Sequence, residues 1–80
     1  MPISSPHSKN EILTAFGMAV RRTRKKLSIS QEDLAHKCSI DRAYMGAIER
    51  GEQNPGLLHI SKIALALDMK IEKLMEAAEL

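Results

Sequence analysis

The stretch SQEDLAHKCSIDRAYMGAIERG, Ser30 to Gly51, decides how this chain folds. It reads as two short helices joined by a tight turn. Ser30 is a natural N-cap, and Gln31, Glu32 and Asp33 fill the first turn, with acids where the helix dipole favours them. Leu34 and Ala35 face inward, and this helix is expected over 30–37. Cys38-Ser39-Ile40 makes the turn, Asp41 caps the next helix over 41–50, and Gly51 stops it as a C′ glycine.

The second of these helices carries an unusual outer face. On a helical wheel Met45 and Ile48 point to the core, with Tyr44 flanking them. Ala43, Gly46, Ala47 and Arg50 point outward, with Arg42 at the edge. Solvent-facing positions ordinarily hold Lys, Glu and Gln, and an interior Gly costs roughly 1 kcal/mol relative to Ala. Small residues bordered by arginines let a backbone approach a large object closely. The same face would equally suit packing against another helix of the chain, and composition does not separate the two.

Working outward, Met1 to His7 contains two prolines and two serines and is expected to form, with Ser8, a flexible tail over 1–8. Ser8, with Glu11 three residues on, has the form of a capping box, opening a first helix over about 9–26. Leu13, Phe16, Val20, Thr23 and Leu27 form its apolar face; Arg21, Arg22, Lys25 and Lys26 lie opposite, either as a solvated face or as a basic ridge. Arg24 falls at the apolar edge and so requires an acidic partner from elsewhere in the fold. Past the Glu52-Gln53-Asn54-Pro55-Gly56 loop, Leu57, Ile60, Ile63, Ala64 and Leu67 make the core stripe of a fourth helix over 57–67. Leu58 and Leu65 fall outside that stripe, seven residues apart on one strip. A fifth helix over 70–78 offers Ile71, Leu74, Met75 and Ala78, more apolar surface than a terminal helix covers on one side. Such surplus points to a partner.

Composition agrees with a helical chain and narrows the functions open to it. Hydrophobic residues make up 44% of the 80, yet aromatics supply only 2%, and Val20 is the sole valine. Apolar mass made of Leu, Ile, Ala and Met suits close helix packing rather than a β-sandwich. The expectation is an all-α fold in one domain, residues 9–80. A net charge of +2 is too mild to name a partner by itself. One cysteine excludes an internal disulfide, His7, His36 and His59 lack metal-ligand spacing, and no glycine run forms a phosphate loop. We therefore expect no enzyme, no cofactor and no metal. No apolar run approaches a membrane span, and no small-molecule effector site is evident. A cytoplasmic setting in bacteria or phage, on the nucleoid, fits best.

Four blocks now align with a known family. Gly17 to Arg24 (G-x-x-V-R-x-x-R), Ser30 to Ala35 (S-Q-E-D-L-A), Tyr44 to Gly51 (Y-x-x-x-I-E-R-G), and Asn54-Pro55 followed by Leu57 to Leu67 share one register. The chain resembles the helix-turn-helix domain of phage repressors and Cro, the XRE family. The segment I-D-R-A-Y-M-G-A-I-E-R-G is similar to the controller proteins of restriction–modification systems. The resemblance implies a five-helix lambda-repressor-like domain, helices two and three forming the helix-turn-helix. It implies an ion pair between Arg24 and Glu49 as scaffold.

The resemblance further implies base reading by Arg42, Ala43, Gly46 and Ala47, with Arg42 matched to guanine O6 and N7. Phosphate contacts fall to Gln31, Tyr44, Arg50, Gln53 and Asn54, the Tyr44 ring being equally suited to packing. It implies double-stranded DNA as partner; Leu58 and Leu65 stand where relatives commonly carry charged residues, and that departure, with the apolar surplus of helices four and five, points to a homodimer joined through Leu58, Leu65, Ile71 and Met75. So few polar groups on the reading face shift specificity toward DNA shape. The function so implied is a sequence-specific transcriptional regulator on a roughly palindromic operator, repressor or controller protein. The competing expectation is a protein-interaction module of antitoxin or anti-repressor type on the same fold.

Overall fold

In the computed structural model, which describes residues 10–80, five α-helices follow one another: α1 (Glu11–Lys26), α2 (Gln31–Lys37), α3 (Arg42–Glu49), α4 (Leu57–Ala66) and α5 (Ile71–Ala77). The tail expected over 1–8 lies outside the described residues. α1 packs against α3, α5 and α2, α2 packs against α3 and α4, and α4 packs against α5. All five thereby share one core, made of Phe16, Ala19, Val20, Leu34, Ala35, Cys38, Met45, Ile48, Ile63, Ala64, Leu67, Leu74 and Ala78.

Side-chain caps start the first three helices. Asn10 accepts from the Leu13 amide at 3.0 Å, Ser30 from Asp33 at 3.0 Å, and Asp41 from Ala43 at 3.1 Å. The first of these corrects the Ser8 assignment: the cap is Asn10, and α1 begins at Glu11. The Ser8–Glu11 spacing has the form of a cap, but the side chain that reaches the first turn is that of Asn10. α4 and α5 begin at Gly56 and Lys70 with no side-chain cap.

All five helices end in one way. A residue in left-handed backbone stands two past the last helical residue: Ser28 (φ 57°), Ser39 (φ 55°), Gly51 (φ 77°), Asp68 (φ 58°) and Glu79 (φ 59°). The amide that follows each one reaches back to the helix, Ile29 to Arg24, Ile40 to Ala35, Glu52 to Ala47, Met69 to Ala64 and Leu80 to Met75, each at 2.9–3.0 Å. This Schellman closure satisfies carbonyls that the helix itself leaves open. Only at Gly51 is glycine used, for a second reason besides φ: an added Cβ would stand 2.7 Å from Thr14 Cα. Gly17 is as constrained, because a Cβ there would collide with the Ile48 and Glu49 carbonyls. The backbones of α1 and α3 meet at that point.

Two core assignments are corrected. Leu57, placed on the stripe of α4, is 70% exposed. It is the first helical residue, so its side chain leans past the start of the helix, where Gly56 has no neighbour within 4 Å. Leu27, placed on the apolar face of α1, caps that helix and is largely exposed. Leu13 and Thr23 are half-buried.

Candidate nucleic-acid interface

The turn between α2 and α3 closes over Cys38, which is buried, and burial pushes its thiol upward. Met45 and Ile48 anchor α3 in the core while Ala43, Arg42 and Arg50 stay exposed and Ala47 half-exposed. Among the described residues Arg42 makes no ion pair, so its guanidinium projects from the first turn of α3 with its donors open. Tyr44 is half-buried, edge-on to the His59 ring of α4 with centroids 5.5 Å apart.

Behind this face lies a buried polar network. Arg24 of α1 grips Glu49 of α3 with both ends of its fork, Nε to Oε2 at 2.8 Å and Nη2 to Oε1 at 2.9 Å. Its third nitrogen, Nη1, donates to the Ile29 carbonyl at 3.1 Å. Only 10% and 3% of the two side chains remain exposed, which makes this a buried pair whose donors and acceptors are filled. Hydrogen bonding to Glu49 raises the Arg24 guanidinium further above its already high range, against a smaller opposing effect of burial. Gln31, at the head of α2, donates from Nε2 to the same Glu49 Oε1 at 3.1 Å. One carboxylate thus fixes α1, the start of α2 and the end of α3 relative to each other.

Gly46 requires correction. The wheel put it on the open reading face, but it is buried. A Cβ there would stand 3.2 Å from Arg50 Nη1 and 3.3 Å from Gln31 Oε1. Two long side chains lie across it as a roof, and the missing Cβ is what lets them converge. Neither the Gln31–Glu49 bond nor the Arg50–Glu52 ion pair at 3.0 Å was foreseen from the sequence. The second pair was within reach, since Arg and Glu two apart across a C′ glycine face the same turn; the first spans 18 residues and carried no local signal. Gln53 and Asn54 sit exposed in the loop that follows.

α4 leaves Leu57, Leu58 and Leu65 exposed, the last two at 78% and 79%. Ile71 and Met75, grouped with them from the sequence, pack half-buried against the core instead. Of the apolar surplus expected from helices four and five, the larger share therefore belongs to α4. Arg22 of α1 donates to the Ala77 carbonyl at 3.0 Å, tying the end of α5 to α1. Among the described residues no group of His, Cys, Asp and Glu is placed to hold a metal ion, and no helix is long and apolar enough to cross a membrane.

Comparison with known proteins gives concordant matches. A helix-turn-helix family model matches residues 20–74. Control protein C.BamHI of Bacillus amyloliquefaciens is 41% identical over 68 residues, 84% of each chain. The crystal structure of the restriction–modification controller protein C.AhdI from Aeromonas hydrophila aligns with a TM-score of 0.76 at 42% identity, over 78% of this chain and 94% of that one. SinR, a master regulator for biofilm formation solved in complex with DNA, aligns with a TM-score of 0.70 at 30% identity, over 75% and 97%.

Proposed function

This chain belongs to the helix-turn-helix family, and from that premise we propose that it is a DNA-binding transcriptional regulator of the controller type, acting as a homodimer on a roughly palindromic operator. The observation that carries the reading is the exposed guanidinium of Arg42, unpaired among the described residues, at the head of a helix whose outward positions between Arg42 and Arg50 are alanine. A groove-docking helix needs a low profile and one directional donor pair, and this helix supplies both.

Arg42 reads guanine, and the Ala43 methyl lies beside it for a thymine methyl. Ala47 keeps the helix close to the groove floor. Gln31, Arg50, Gln53 and Asn54 hold the sugar–phosphate backbone, Tyr44 adding its hydroxyl. Gly46 takes no part in base reading; it seats Gln31 and Arg50. The network around Glu49 keeps these groups in place before DNA arrives, so little ordering is left to be done on binding. Leu58 and Leu65 of α4 join two copies, setting the recognition helices about 34 Å apart for successive major grooves. The protein acts by binding rather than catalysis, in the cytoplasm where its DNA lies. C.BamHI is named a control protein and C.AhdI a restriction–modification controller protein, and this chain fits the same role.

The test compares Arg42→Ala with Arg50→Gln on duplexes of several sequences. Losing Arg42 flattens the preference among sequences by about 1–3 kcal/mol, whereas Arg50→Gln weakens all duplexes alike and lowers the salt slope by about one. Native affinity that does not change between about 50 and 200 mM salt contradicts the phosphate assignments.

A further inference from the structure

Four of the five helix ends close on an apolar residue, and the one that ends the recognition helix closes on a carboxylate. The residue after each left-handed position is Ile29, Ile40, Met69 or Leu80 for α1, α2, α4 and α5. Such a residue ordinarily folds onto its own helix and buries apolar surface. After α3 it is Glu52, whose amide makes the same backbone bond, to Ala47 at 2.9 Å. Its side chain turns to Arg50 instead, Oε1 to Nη2 at 3.0 Å, with both side chains more than half exposed. The other terminal nitrogen of that guanidinium, Nη1, is the one lying over Gly46 beside Gln31. Arg50 is thus folded back across its own helix, with Glu52 on one nitrogen and the bare Gly46 position under the other.

We propose that Glu52 is a positioning residue for DNA binding: it holds Arg50 over Gly46 in the free protein, and a backbone phosphate takes the guanidinium from it when DNA docks. This rests on Arg50 being a phosphate contact. A guanidinium presents a planar fork that accepts carboxylate or phosphate in the same way, so the two compete for one set of donors. Binding then exchanges one anion for another rather than filling an empty site. Glu52 subtracts from the affinity for every duplex, whatever its sequence. It keeps the arginine ordered while limiting how tightly the surface holds random DNA, leaving sequence preference to Arg42. An exposed pair shifts an equilibrium by no more than about fivefold, so this is a moderate brake.

The experiment measures affinity for a random-sequence duplex at low salt for the native chain, Glu52→Gln, Arg50→Gln and the double variant, with thermal unfolding of each to confirm the fold. Glu52→Gln binds about threefold tighter than the native chain, the size set by an exposed pair. Arg50→Gln binds more weakly, and in that background replacing Glu52 gains nothing. An equal gain in both backgrounds overturns the proposal, since the carboxylate then only repels DNA at a distance. A loss of affinity in Glu52→Gln overturns it too. If Arg50→Gln binds as tightly as the native chain, this inference falls together with the Arg50 phosphate contact, while DNA binding through Arg42 stands. If the native chain binds no duplex at all, the proposed function falls with it.

Discussion

Glu49 ties α1, α2 and α3 together through one buried carboxylate. It accepts from Arg24 twice and from Gln31 once while 6% exposed. Taking two charges out of water costs several kcal/mol per ion, and only full pairing offsets that. Removing one partner leaves the other charged and stranded. Arg24→Ala or Glu49→Ala should each cost about 3–5 kcal/mol, a large part of what an 80-residue domain has. Replacing both with apolar residues, Arg24→Met with Glu49→Leu, should cost clearly less than the two single losses added together. Denaturant unfolding of the four proteins checks this, and additive losses would mean the two charges act independently. That Arg24 needed an acid was legible from its place at an apolar edge. Which acid answered it came from the family resemblance, which implied Glu49, the acid found here, and not from any local pattern, because 25 residues separate the two.

The helices themselves were legible because their signals are local. Ser30 and Asp41 cap where their side chains reach the next turn, and Gly51 stops α3 where backbone and space both require glycine. Boundaries slipped where a signal was missing or doubled: at Asn10, and at Lys70, which begins α5 with no cap. Lys70 also sets a positive charge at the positive end of the helix dipole. Lys70→Asp should therefore stabilise the protein by about 1 kcal/mol, and raise Tm by about 4–8 °C in a domain of this size. An unchanged Tm in a calorimetric scan would mean that the start of α5 contributes nothing to global stability. The outward face of α3 was legible only in part. A wheel assigns direction from a residue's own angle, whereas Gly46 is covered by side chains that reach over it from α2 and from one turn further on.

At the scale of the whole molecule, the open question is what covers α4. Leu57, Leu58 and Leu65 gain nothing in water, and burying a leucine stabilises an assembly by about 1.5–3 kcal/mol. The proposed homodimer would cover them. The double variant Leu58→Lys/Leu65→Lys should sediment as a folded monomer and lose most of its DNA affinity, because one copy holds only half an operator. A native chain that sediments as a monomer would instead favour a different protein as the missing partner, as in the interaction-module alternative. The sequence showed this surface as apolar residues out of phase with the core stripe, but the share given to Ile71 and Met75 was too large, since how deeply a terminal helix sinks into the core depends on its neighbours. What two copies do together is tested most directly by letting the native protein select duplexes from a random pool. Enriched sequences should carry two inverted half-sites, each containing a guanine for Arg42, centred about one helical turn apart. Recovery of an unenriched pool, or of a single asymmetric site, would contradict the proposed function.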